Sequence, residues 1–149
     1  MELNEKFNII FYNRGVGGFI TDELGINDLS YPDIPIAQMI DHYDQILCQV
    51  KAALPDVKLY LMAYYPINYD AATEEMKPCL LVRTNQKIAE ANAAVKKLAE
   101  KHHAKYIDIN DPLKDENGNL KAEYTIEGMH IKEEGYRAIF PEFIRYAME

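Results

Sequence analysis

Val57-Lys58-Leu59-Tyr60-Leu61-Met62-Ala63-Tyr64-Tyr65 is the stretch that decides the fold. A strand with one solvated face alternates apolar and polar residues. This run is apolar on both faces, as a parallel strand covered by helices should be. Its flanks agree. Upstream, Ile36, Met39, Ile40, Tyr43, Leu47, Val50 and Leu54 recur at helical spacing, which predicts one amphipathic helix closed by Pro55. Downstream, Val82, Ile88, Ala89, Asn92, Val95, Leu98 and Ala99 mark a long helix that runs to about His103. Lys105-Tyr106-Ile107-Asp108-Ile109 reads as a further strand and Asn117-Gly118 as a turn. Lys132 to Ala147 reads as a last helix interrupted by Pro141.

Toward the beginning, Phe7-Asn8-Ile9-Ile10-Phe11-Tyr12 is a short apolar, β-prone run that ends at the Gly-rich Asn13-Arg14-Gly15-Val16-Gly17-Gly18. A buried strand feeding a tight turn is the natural reading. Thr21-Asp22-Glu23-Leu24 has the capping residue and first-turn acids of a helix, yet it stops at Gly25-Ile26-Asn27-Asp28. Strands alternating with long helices predict a parallel α/β sheet. With no repeats or low-complexity linkers, residues 1–149 read as a single domain. One interval does not fit. A parallel crossover needs about a dozen residues or more, and Gly18 and Gly25 are too close in the chain to hold one. The predicted strands are also too few for the predicted helices, so the sheet looks short of central strands.

Composition narrows the function classes. A chain of 149 residues can bury one sizeable core. The net charge of −8 argues against nucleic acid or an anionic membrane surface as the main partner. Cys48 and Cys79 have neither a metal-like spacing nor the makings of a disulfide framework, which points to a reducing, cytoplasmic compartment. No apolar run approaches the ~18 residues of a membrane span. Met1-Glu2-Leu3-Asn4-Glu5-Lys6 is charged and lacks the apolar region of a signal peptide.

Three short segments could carry chemistry. Glycines in the Asn13–Gly18 turn let backbone N–H groups approach an anion or a developing oxyanion, although a purely structural turn reads the same way. Asn27 either caps its own turn or offers an amide N–H beside a reacting carbonyl. In Tyr124-Thr125-Ile126-Glu127-Gly128-Met129-His130, a carboxylate three residues before a histidine, with glycine between, can fold back to orient the imidazole. A surface acid and a helix-capping histidine are the alternative. His42, His102 and His103 sit in helical segments and look like solvated faces. No acid spacing around them suggests a metal site, and no cofactor is expected.

Taken in order, Asn-Arg-Gly-Val-Gly-Gly, then Gly-Ile-Asn-Asp, then Glu-Gly-Met-His followed by Glu-Gly-Tyr resembles the SGNH hydrolases, also called GDSL-type esterases and lipases. From Val57 onward the chain reads like a continuous member, including Arg83-Thr84-Asn85 and Tyr106-Ile107-Asp108. The resemblance implies a three-layer, flavodoxin-like parallel α/β sheet and hydrolysis of small acyl esters, such as acetylated sugars or lysophospholipids. By position it implies Gly18 N–H and the Asn27 side chain as oxyanion donors and His130 as general base. Glu127 stands where the family usually has the orienting Asp. The family's Gly-Asp-Ser block, which supplies the nucleophile and is expected ahead of residues 2–7, is absent. So are a helix and a strand between the glycine turn and the Gly-x-Asn-Asp block. Both absent strands lie near the middle of the family's sheet.

Ser30 is the one serine in the sequence. It stands beside Tyr31-Pro32 with no strand-to-helix elbow, which does not suit a nucleophile. Cys48 is expected in a helix and Cys79 in a loop after a proline, neither near a base in sequence. Two expectations follow. One is an ester hydrolase whose working form carries an upstream serine block. The other is an inert deletion product or pseudoenzyme with residual ligand binding, in which homo-oligomerisation or strand exchange makes up for the thin sheet.

Overall fold

A computed structural model describes residues 25–147. The strand expected at 7–12, the turn at 13–18 and the helix start at 21–24 lie outside them. A 3₁₀ turn at Ile26–Ser30 is followed by helix α1 (Ile36–Ala53), strand β1 (Tyr60–Met62), the short helix α2 (Lys77–Val82) and helix α3 (Asn85–Lys101). Strand β2 (Lys105–Ile107), two further 3₁₀ turns (Asp111–Leu113 and Ala122–Tyr124) and helix α4 (Glu133–Ala147) complete the order.

β1 and β2 pair in parallel, with Tyr60 opposite Lys105, Leu61 opposite Tyr106 and Met62 opposite Ile107. On one face, Leu61 joins Met39, Tyr43 and Leu47 of α1 and Ile88, Ala91, Val95 and Leu98 of α3 in one core cluster. On the other, Met62 and Ile107 pack with Leu113, Leu120 and Ile139, with Phe143 and Tyr146 of α4 against them. Helices therefore cover both faces of a parallel sheet, the three-layer arrangement that the two-sided apolar run dictates. Among the described residues the sheet has two strands. Tyr136, Phe140 and Ile144, at successive i,i+4 positions of α4, form a stripe exposed by 37%, 59% and 36%. No described helix is long and apolar enough to cross a membrane.

Three expectations are corrected. The two strands are shorter than the apolar runs that announce them, because the ladder ends where Ala63 N–H donates to the Ile107 carbonyl. Residues 61–68 nevertheless stay buried, so their backbone groups need partners, and asparagine side chains supply them. The Asn92 amide spans Tyr64 N–H and C=O at 2.7 and 3.1 Å, and Asn85 spans Ile67 N–H and C=O at 2.8 and 2.9 Å. Asn110 Nδ2 donates to the Tyr64 carbonyl at 2.9 Å.

The helix expected to include Val82 is two helices. Thr84 caps α3, its hydroxyl accepting from Lys87 N–H at 3.1 Å, and Arg83 breaks the chain between α2 and α3. Finally, α4 runs through Pro141 without interruption. The proline lies on the exposed side, while Ile139, Phe143 and Tyr146 pack the opposite side onto the sheet. That packing outweighs the lost hydrogen bond and ring clash, about 3 kcal/mol in a helix interior.

Candidate active site

The site is built from two loops. The histidine loop is pinched at its base by a bridge between Thr125 and Ile131. Inside it, Gly128 N–H donates to Thr125 Oγ1 at 3.0 Å, and the Gly128 carbonyl accepts from Asn68 N–H at 2.7 Å. The second bond docks the loop on the chain leaving β1. Gly128 has φ +90°, and a Cβ there would lie 2.4 Å from the Asn68 carbonyl oxygen and 2.9 Å from Ala72. Only glycine permits that approach.

Glu127 Oε1 accepts both the His130 backbone N–H and the ring Nδ1, each at 2.7 Å. A carboxylate accepts only, so Nδ1 carries the proton and Nε2 of the neutral ring keeps its lone pair. The Glu127 side chain is 20% exposed and the His130 ring 75%. Glu127 Oε2 is buried without a hydrogen-bond partner among the described residues.

The second loop is the Gly25–Ser30 turn, anchored by buried Leu29 and closed by Asp28 N–H donating to the Gly25 carbonyl at 2.9 Å. Asn27 is exposed on it. Its Oδ1 accepts from Arg83 Nη2 at 3.1 Å, which turns the amide so that Nδ2 faces away from the guanidinium. Arg83, 4% exposed, also donates through Nε to Ser30 Oγ at 2.8 Å and through Nη1 to Met129 Sδ. One buried guanidinium thus fastens the Asn27 turn to the residue beside His130.

The structure brings Glu127 and His130 together and ties Asn27 to their loop. Gly18 lies outside the described residues. Ser30 closes a 3₁₀ turn, and its hydroxyl is held by Arg83 and by Cys79 Sγ at 3.2 Å, so it sits in a structural clasp with no histidine on it. Cys79 lies within α2, not in a loop. His102 is no solvated face: it is 7% exposed, and its Nε2 meets Asp44 Oδ1 at 2.5 Å.

Sequence reasoning overlooked Arg83 as a site residue. The pattern from Val82 to Ala99 placed it inside one long helix, where it reads as a solvated side chain, since arginine is seldom fully buried unless its donors are met. Asn68 and Asn85 were also missed, because a backbone partner distant in the chain leaves no local pattern.

The model of the GDSL-like lipase/acylhydrolase family matches residues 7–138. A Streptococcus pneumonia protein provisionally described as a platelet activating factor shares 27% identity and a TM-score of 0.70, over 83% of this chain and 55% of its own. A GDSL-like lipase from Bacteroides thetaiotaomicron shares 20% identity and a TM-score of 0.61, over 78% and 54%. A variant of an acetyl-xylooligosaccharide esterase from Geobacillus Stearmophilus shares 16% and 0.59, over 83% and 56%. The chain therefore spans little more than half the length of these neighbours. No curated protein matches it.

Proposed function

The chain belongs to the GDSL-like lipase/acylhydrolase family, whose α/β fold it shares, and from that premise we propose that Asn27, Glu127 and His130 are the general-base and oxyanion side of a serine ester hydrolase. The observation that carries this is Glu127 Oε1 holding both the backbone N–H and Nδ1 of His130. The ring is fixed in one tautomer with Nε2 open, as a general base requires.

In the reaction a serine oxygen attacks the acyl carbonyl while its proton passes to His130 Nε2. Asn27 Nδ2, with Gly18 N–H, donates to the oxyanion, and losing one such donor costs about 3 kcal/mol of transition-state stabilisation. The imidazolium, stabilised by Glu127, gives its proton to the leaving alkoxide. Water, deprotonated by His130, then attacks the acyl-enzyme and releases acid and serine. The exposed ring suits a substrate approaching from solvent. Small acyl esters are the substrate class, acetylated sugars or lysophospholipids among them. The esterase neighbour that acts on acetyl-xylooligosaccharide supports the first.

Ser30 does not serve as the nucleophile; in this reading that role falls to the serine of the family's Gly-Asp-Ser block, which residues 1–149 do not contain. A second reading, an inert chain that keeps only ligand binding, is favoured by one observation: the single hydroxyl of its type in the sequence is engaged by Arg83 and Cys79. Intact mass before and after a fluorophosphonate separates the two. A parent heavier than 17.2 kDa that takes up one label on a serine other than Ser30, with the label lost in His130→Ala, supports the hydrolase. A 17.2 kDa parent that takes up no label overturns it and leaves the inert reading.

A further inference from the structure

A second cluster lies at the opposite end of the strands and takes no part in the site above. Asp44 and Cys48 are one turn apart on α1, and His102 caps the C-terminus of α3, just ahead of β2. Their ligating atoms all fall within 4.8 Å of one another. His102 is buried, Asp44 is partly buried and Cys48 is exposed, so the cluster has a closed floor and an open side.

We propose that Asp44, Cys48 and His102 form a binding site for a borderline-soft divalent cation of the Zn²⁺ type. One thiolate, one imidazole and one carboxylate are a zinc donor set, and the open side leaves the fourth position to water. Mg²⁺ and Ca²⁺ need six or more oxygens, and only one carboxylate is here. Tetrahedral bonds of about 2.0–2.3 Å put ligand atoms roughly 3.3–3.6 Å apart. The Asp44–His102 pair at 2.5 Å must open slightly and Cys48, at the exposed edge, must swing in.

The neighbouring charge does not block the site. Lys101 Nζ pairs with Asp44 Oδ2 at 2.7 Å and leaves Oδ1, the oxygen facing His102, to the metal. Lysine on the second oxygen then orients the carboxylate from behind. The ligands come from helices that pack on one face of the sheet, so the ion would cross-link α1 to α3 without touching the strands' carboxyl ends.

The test is a titration of the reduced, metal-free full chain with Co²⁺, followed by displacement with Zn²⁺. Expected are one equivalent of bound cobalt, a thiolate-to-cobalt charge-transfer band, tetrahedral d–d absorption, and a Zn²⁺-dependent rise in the thermal midpoint. Outer-shell changes alone weaken metal sites by about 10–100-fold, so Cys48→Ser should lower Zn²⁺ affinity by at least about tenfold and abolish the charge-transfer band. Cys48 is exposed, so this variant keeps the fold, and Cys79→Ser should behave as the parent. A chain without the thiolate band, a band that survives Cys48→Ser, or one lost with Cys79→Ser overturns the assignment.

Discussion

Gly128→Ala tests the way the histidine loop is held. Alanine at φ +90° carries the left-handed penalty of roughly 1–2 kcal/mol. Its Cβ would also fall 2.4 Å from the Asn68 carbonyl oxygen and 2.9 Å from Ala72 Cα and Cβ, atoms of backbone and of a one-carbon side chain that cannot swing aside. Overpacking of this kind costs about 1–3 kcal/mol. If the loop lifts to relieve it, the bond from Asn68 N–H to the Gly128 carbonyl goes instead, at about 1 kcal/mol. The expected loss is therefore about 2–5 kcal/mol if the loop stays docked and about 2–3 kcal/mol if it lifts, large against the ~5–15 kcal/mol of a whole domain.

Gly118 supplies the control. It has φ +81°, and a Cβ there meets nothing within 4 Å. Gly118→Ala should show the conformational penalty alone, roughly 1–2 kcal/mol. Urea unfolding of the two variants, followed by far-ultraviolet circular dichroism, isolates the close approach as a difference of about 1–3 kcal/mol. At an m-value of about 1–3 kcal/mol per molar urea the midpoints separate by roughly 0.3–3 M, about 1 M at mid-range values. Equal destabilisation of both variants would refute the claim that the loop is docked on Asn68.

Three further outcomes are expected. Arg83→Met removes the hydrogen bonds to Asn27 and Ser30 and should cost roughly 2–3 kcal/mol, with hydrogen exchange accelerating together in residues 25–30 and 125–131; acceleration in one segment alone would mean that Arg83 does not join them. Glu127→Ala removes the largely buried acceptor of the His130 backbone N–H and should cost about 1–3 kcal/mol, and it should shift His130 away from the Nδ1–H tautomer in ¹⁵N spectra. Tyr106 should ionise late: burial first, and the Asp108 carboxylate second, push its phenol up to about 12. Between about 10 and 12 the native state then holds a proton that the unfolded chain has lost, so stability should fall as pH rises through that window. Tyr106→Phe should remove that part of the decline and one late tyrosinate step in an ultraviolet titration.

What the sequence made legible was whatever a local period or contiguous motif encodes. The two-faced apolar run at 57–65 announced a covered parallel strand, and Met39, Tyr43, Leu47 and Val50 announced the buried stripe of α1. Glu127-Gly128-Met129-His130 announced a carboxylate folded back on an imidazole. Illegible were the pairings between distant residues. The acid nearest His102 in sequence is Glu100, yet its partner is Asp44, which meets it across two packed helices. Arg83 gives no hint that it will bond Asn27 and Ser30 from the break between α2 and α3. Strand length was misjudged for a related reason: hydrophobicity reports burial, and residues 64–67 are buried while Tyr64 and Ile67 bond asparagine side chains instead of a neighbouring strand.

Those asparagines also set an order of events. The partners that satisfy the chain beyond β1 come from 28 residues away at Asn92 and 46 at Asn110, and Asn68 reaches the Leu120 carbonyl 52 residues on. Contacts that close such long loops form slowly. A chain emerging from the ribosome with Tyr64 already exposed must wait for residues 110 and 120 before that segment has its full complement of partners. The end of β1 that receives the histidine loop thus has its full set of hydrogen bonds only once residues 92, 110, 120 and 128 have closed on it.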